Sequence, residues 1–209
     1  MSFVARRRLL AQGLSLSLSL SLSLSLSLSL GMSLCVTGAG ADQTAEAVPP
    51  EVKLALNQPR LQGQGRLRFL GLRVYDARLW AAAELPIAAE FWSQPLALEI
   101  VYQRSLQGQQ IAERSLQEMR RQGDIDEAAA QRWLQAMQGQ FPDVVAGSRI
   151  TGVNLPRVGA AFYVDGRLKG TLNEPEFARR FFGIWLSPQS SDLRLRAALL
   201  GSAQGLATP

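Results

Sequence analysis

The chain has no histidine and a single cysteine, Cys35, among its 209 residues. Without histidine there is no Ser-His-Asp triad, no Cys-His pair, no HExxH zinc site and no imidazole pH switch. Charge is sparse at 19% of residues, and 47% are hydrophobic. That balance describes a globular chain and excludes a disordered one. A glycine-rich phosphate loop is also missing. Gly63-Gln64-Gly65 lacks the third glycine and the following helix, so it reads as a strand turn.

The N-terminus has the form of an export leader. Arg6, Arg7 and Arg8 make a cationic start, and Leu and Ser then alternate from Leu14 to Leu30. Small residues follow, and Ala39-Gly40-Ala41 has the small-x-small form of a signal-peptidase site, which puts cleavage after Ala41. The apolar stretch is longer than most leaders carry, so an uncleaved anchor is the alternative. Serine at every second position lowers the cost of leaving the bilayer and favours cleavage. The arginine run also resembles a twin-arginine signal. Leu34 stands where a lipoprotein would carry a small residue before Cys35.

Removing residues 1–41 takes away three arginines and no acid, so the net charge falls from +5 to +2. The basic balance is therefore largely the leader's, and nucleic acid is not an expected partner. The only cysteine goes too, which suits a periplasmic or secreted protein without disulfides. Residues 42–209 are long enough to bury roughly 70% of their unfolded surface. No metal, cofactor or remaining membrane span is expected, and the sequence sets no oligomeric state.

Residues 42–50 read as a linker ending in Pro49-Pro50, and Glu51 to Asn57 alternates like a first strand. Arg66 to Trp80 is a β-rich run with Gly71 marking a bulge or bend. Leu96 to Tyr102 is another strand. Helical spacing covers Gln109 to Arg121 and Asp126 to Gln138. Strands return at Arg149–Leu155 and Ala161–Val164, and Asp165-Gly166 turns the chain into Arg167–Leu172. Asn173 reads as the cap of a helix with Phe177, Phe181, Ile184 and Trp185 inward, and a last helix spans Asp192 to Leu200. Strands, two helices, strands, two helices make an α+β domain with a mainly antiparallel sheet, not a nucleotide-binding βαβ fold.

No carboxylate pair or other general base has a recognisable setting, so no catalytic residue is assigned. The informative residues are cations and phenols within apolar strands. On a regular strand Arg73 and Tyr75 share a face, and Arg104 closes the strand read from Leu98 to Arg104. A guanidinium beside a phenol clamps a carboxylate or an enolate-like oxygen. The plainer alternative pairs Arg73 with a surface acid and packs Tyr75.

Three segments make the sequence resemble the chalcone isomerase-like family, in its bacterial exported branch, from about Leu61 to Gly201. They are Gly63-x-Gly65 with Phe69-x-x-x-Arg73-Val74-Tyr75-x-Ala77-x-Leu79, then Leu106-Gln107-Gly108-Gln109-Gln110-Ile111-Ala112-Glu113, then Tyr163-Val164-Asp165-Gly166-x-x-x-Gly170 with Glu176-Phe177 and Ile184-Trp185-Leu186. The resemblance implies an open-faced β-sandwich, a curved antiparallel sheet with helices packed on one face over an apolar cleft. It divides residues 59–209 from a linker and first strand at 42–58. Plant members are isomerases that use an early-strand arginine and a tyrosine at the start of the helix after the Gly-Gln-Gln turn. Other members are non-catalytic, and some hold a fatty-acid carboxylate with an arginine and a tyrosine.

By this resemblance Tyr75 matches the ligand-binding tyrosine. Ile111 stands at the enzymes' tyrosine position and Arg114 at the following lysine position. Leu67 stands where relatives carry arginine, and a slip or bulge would bring Arg66 or Arg68 into its place. Strand reading and the resemblance together make Arg66, Arg68, Phe69, Arg73, Tyr75, Arg104 and Ile111 the candidate ligand residues, with Leu79, Trp133 and Phe181 as further cleft lining. The expected function is binding of a fatty acid or similar amphipathic carboxylate without catalysis. The alternatives are an isomerase or lyase acting on an enone-like molecule and a partner-binding protein of the envelope.

Overall fold

The computed structural model describes residues 47–82 and 90–201. The leader, Cys35 and the cleavage point at Ala41 lie outside the described residues. Residues Ala45–Pro209 form one compact unit.

The chain enters as a short helix, α1, Pro50–Ala55, where the sequence alone reads as a strand. Pro50 in the first turn needs no hydrogen-bond donor, and Glu51 favours the positive end of the helix dipole. The alternation of Val52, Leu54 and Leu56 is misleading. Val52 and Leu56, four apart, are buried, whereas Leu54 is 85% exposed. A strand would have buried all three on one face.

Six strands follow: β1 Arg60–Phe69, β2 Leu72–Ala81, β3 Leu96–Tyr102, β4 Arg149–Leu155, β5 Gly159–Val164 and β6 Arg167–Leu172. They form one sheet in sequence order, each antiparallel to its neighbour. The run from Arg66 to Trp80 is therefore two strands, not one bent strand. Leu70 and Gly71, with φ of 49° and 79°, reverse the chain in a two-residue hairpin. Asp165 and Gly166 make the same turn between β5 and β6, with φ of 48° and 81°.

Between β3 and β4 run α2, Gly108–Arg120, and α3, Glu127–Gln140. After β6 come α4, Pro175–Leu186, and α5, Leu193–Leu199. The Asp126 and Asp192 carboxylates cap α3 and α5 by accepting backbone N–H groups. The helix α4 departs from expectation. Its cap position is Glu174 rather than Asn173 and makes no side-chain cap bond, and Glu176 pairs with Arg179 and Arg180 instead.

The expected open-faced arrangement holds. The inward residues of α2 to α5 cover one sheet face, where Leu79, Leu96, Leu98 and Phe162 meet Phe177, Phe181 and Phe182 in the main core. One departure is α1, which packs Val52 and Leu56 on the opposite face against Trp80, Ala97, Val153 and Ala161. Beside it lies a buried polar network. Glu99 accepts from Arg78 and Trp80, and Glu51 accepts from Thr151 and Arg149. Both cores lie within the described residues, so the unit from Ala45 carries its own core.

Gly63 and Gly65 lie inside β1, not in a turn. A Cβ at Gly63 would strike the backbone carbonyls of Ala198 and Leu199, and one at Gly65 the Leu195 side chain. The pair lets α5 lie directly on β1. The helical form of residues 50–55 makes a sharp prediction. Leu56→Ala should lower the unfolding free energy by about 2–3 kcal/mol. Leu54→Ala should change it by less than about 0.5 kcal/mol in the same urea titration; a strand would make both substitutions costly.

Candidate functional site

Where α5 leaves β1, the sheet and helices part around an open-mouthed cavity of about 600 Å³. Its sheet wall comprises Leu67, Tyr75, Ile100, Tyr102 and Ile150. Helix α2 contributes Gln110, Ile111, Arg114, Ser115 and Glu118, and α4 contributes Phe181, Ile184 and Trp185. Phe141 and Leu195 complete the apolar lining, and Arg68, Phe69, Val74, Arg104 and Asp192 also border the space.

A bulge decides which strand residues reach it. Leu67 pairs with Tyr75 but Arg68 pairs with Arg73, so Val74 is an extra residue on β2. The alternation expected to put Arg73 and Tyr75 on one face is broken there. Tyr75 faces the cavity, while Arg73 is exposed and does not line it. The same irregularity settles the neighbouring arginines: Arg68 borders the cavity and Arg66 does not. Arg66 is engaged elsewhere, paired with Asp76, which also accepts from Gln103. Phe69, Arg104, Ile111 and Phe181 border the cavity as the sequence suggests. Leu79 and Trp133 do not. Leu79 is fully buried in the core, and the Trp133 indole donates to Glu174 at the start of α4.

Tyr75 is held by a residue that sequence reasoning placed only in the core. Trp185 Nε1 donates to the Tyr75 hydroxyl at 2.8 Å. That bond uses the oxygen as acceptor and leaves the phenol's own hydrogen uncommitted. The Tyr102 ring meets Tyr75 edge-on at 6.1 Å. Burial pushes both phenols above their ordinary pKa, and the bond from Trp185 only partly offsets this at Tyr75. Tyr75 is therefore a neutral donor at any physiological pH.

Glu118 was also missed. Its carboxylate is buried at the cavity, paired with Arg114 at 2.5 Å and with Arg121 at 3.5 Å. The spacing of Ile111, Ser115 and Glu118 along α2 places them on one helix face and could have revealed it. Arg68 and Arg104 differ from Arg114: among the described residues neither has an acidic partner. No group of acidic, cysteine or histidine side chains among the described residues could hold a metal ion.

A family model described as chalcone isomerase-like matches residues 41–201. The chain belongs to the chalcone isomerase-like family. An uncharacterized protein of Haemophilus influenzae is 29% identical over 111 residues, which are 53% of this chain and 54% of that one. The chain thus spans about half the length of this curated relative. The crystal structure of an Arabidopsis thaliana fatty-acid binding protein superposes with a TM-score of 0.55 at 18% identity, covering 77% of this chain and 98% of that one. At that identity the likeness shows the fold alone. Within this chalcone isomerase-like chain, Ile111 puts a half-buried hydrocarbon at the cavity wall.

The raised phenols link pH to stability. An unfolded tyrosine ionises near pH 10, roughly, and these two resist ionisation while folded. Their contribution is fully present below that pH and is lost as pH rises beyond it. Thermal melts between pH 8 and 11 should show a decline that Tyr75→Phe and Tyr102→Phe each make shallower. An unchanged slope would mean the rings are solvated.

Proposed function

We propose that this protein is an exported, non-catalytic carrier of a fatty acid or similar amphipathic carboxylate, held with its chain in the cavity and its head near Tyr75, Arg68 and Arg104. The observation that carries this reading is the contrast within one cavity: apolar walls, a neutral phenol with a free hydrogen, and two arginines without acidic partners among the described residues. A volume of about 600 Å³ lies within the roughly 300–1,000 Å³ of small-molecule pockets. Each buried methylene contributes about 0.8 kcal/mol, so an acyl chain supplies most of the affinity. A hydrogen bond to the charged head adds about 1.5–3 kcal/mol and orients it. The fatty-acid binding protein of shared fold is consistent with this ligand class.

Catalysis is disfavoured on chemical grounds. An isomerase acting on an enone must deliver or remove a proton; Ile111 has no hydroxyl at the enzymes' tyrosine position, and burial holds Tyr75 neutral, a hydrogen-bond donor rather than a base. The cavity's Glu118 is held as a carboxylate by its ion pairs with Arg114 and Arg121, though its Oε2 accepts no hydrogen bond. Export rests on the leader at residues 1–41, and the chain recovered from a bacterial periplasm should begin at Asp42 by intact mass.

Native mass spectrometry followed by lipid extraction tests the ligand. The purified protein should carry or take up a long-chain fatty acid. Tyr75→Phe should weaken that binding by about tenfold, the loss of one charge-assisted bond. Arg68→Gln with Arg104→Gln should weaken it further. Unchanged affinity in Tyr75→Phe removes Tyr75 from the site. A protein that takes up no fatty acid shifts the reading to the envelope partner, to be sought by pull-down.

A further inference from the structure

The hairpin between β1 and β2 carries two apolar side chains, Leu70 and Leu72, that line neither the core nor the cavity, beside Phe69, which borders the cavity's edge. The Gln103 backbone N–H donates to the Val74 carbonyl, the last link of β2 to the β3 side, so Leu72 and Arg73 pair with β1 alone and the tip is a two-stranded ribbon. On it Phe69 is 64% exposed, Leu70 86% and Leu72 58%. Consecutive exposed apolar side chains on a ribbon tip cost solubility and mark a contact surface.

Leu70 is the telling residue. It occupies the left-handed first position of a two-residue turn, at φ 49°. That position favours Asn, Asp or Gly, and leucine there is strained. The β5–β6 hairpin makes the same turn with Asp165 at φ 48°. One chain thus uses the favoured residue at one hairpin and an exposed leucine at the other. The turn does not need the leucine, and its exposed side chain is free to meet a partner.

Charge identifies the partner. Residues 66–73, Arg-Leu-Arg-Phe-Leu-Gly-Leu-Arg, hold three arginines and no acid. Arg66 is neutralised by Asp76, which leaves Arg68 and Arg73 without acidic partners among the described residues. Apolar side chains at a tip, with unpaired guanidinium groups beside them, match an anionic bilayer: hydrocarbon below and phosphate at the arginine level. We propose that the β1–β2 hairpin tip docks on anionic phospholipid membranes, inserting Phe69, Leu70 and Leu72 at the headgroup boundary. Phe69 and Arg68 also border the cavity, so docking sets the cavity's rim against the bilayer. Docking itself does not depend on the proposed ligand. Its consequence, that an amphipathic acid passes between membrane and cavity without crossing water, rests on that reading.

The test uses the unit from Ala45 onward, which has its own core and no cysteine. The probes are ligand-free vesicles of phosphatidylcholine, with and without phosphatidylglycerol. Cosedimentation should be strong with the anionic vesicles and weak with the neutral ones. Leu70→Asn fills the turn with a favoured residue, so it should fold at least as stably yet bind anionic vesicles about tenfold less. Arg73→Gln should weaken binding to anionic vesicles alone. An environment-sensitive dye on Leu70→Cys should shift to the blue on mixing, whereas the same dye on Asp165→Cys should not. Wild-type vesicle binding by Leu70→Asn, or no shift at position 70, overturns the proposal. A concentration-dependent dimer abolished by Leu70→Asn, without vesicle binding, also overturns it and assigns the tip to a second copy of the chain. Because Leu70 does not line the cavity, fatty-acid affinity in solution should be unaffected by Leu70→Asn. Failure of docking and failure of ligand binding are therefore read separately.

Discussion

The contact of α5 with β1 organises the rest of the structure. Two glycines let the helix lie against the strand backbone at Gly63 and Gly65. Toward the hairpin end of the same strand the helix has stopped, and Leu67, Arg68 and Phe69 face open space. The cavity lies where one strand is covered at one end and bare at the other. Side chains at positions 63 and 65 would lift α5 and open the main core along β1. Asp192 joins the two regions, because it caps α5 and borders the cavity.

The two faces of the sheet solve different problems. The helix-covered face is packed with aromatic rings, Phe162 and Phe181 meeting at 5.0 Å and Phe141 and Phe162 at 5.1 Å. A core of this kind gives the cavity stiff walls. The opposite face buries charge. Arg149 pairs with Glu51 at 3.1 Å and lies 3.8 Å from Glu99, which itself pairs with Arg78. Pairs of this kind add little net stability but penalise misplacement, because one displaced partner strands a buried charge. They hold α1 in one position on the sheet.

Much of the fold was legible because period and punctuation agreed. Leu96 to Tyr102, the Asp165-Gly166 turn and the inward face of α4 all follow from local pattern. The failures share a cause. Residues 51–57 alternate in sequence, yet a proline start and the Val52–Leu56 spacing make a helix, and a segment this short satisfies both periods. Arg73 was placed beside Tyr75 by alternation, and the extra residue at Val74 leaves no compositional mark. Tyr75 was legible through the family pattern, and it lines the cavity. Its anchor, Trp185, was read as core because a partner 110 residues away is a product of tertiary structure. Glu118 was overlooked because an acid on an amphipathic helix ordinarily faces water.

The bulge at Val74 divides β2 into two stretches of independent phase. From Tyr75 to Ala81 each residue is locked to a partner on β3, so inserting or deleting one would turn the core face outward. Beyond Val74 only β1 is paired, and a change of length re-phases the tip alone. The bulge therefore works as a firebreak for variation. Relatives can remodel the mouth of the cavity, its arginines and its apolar tip, without disturbing the packed sheet behind it. The shape of the cavity mouth and the stability of the fold can then evolve on separate stretches of the same strand.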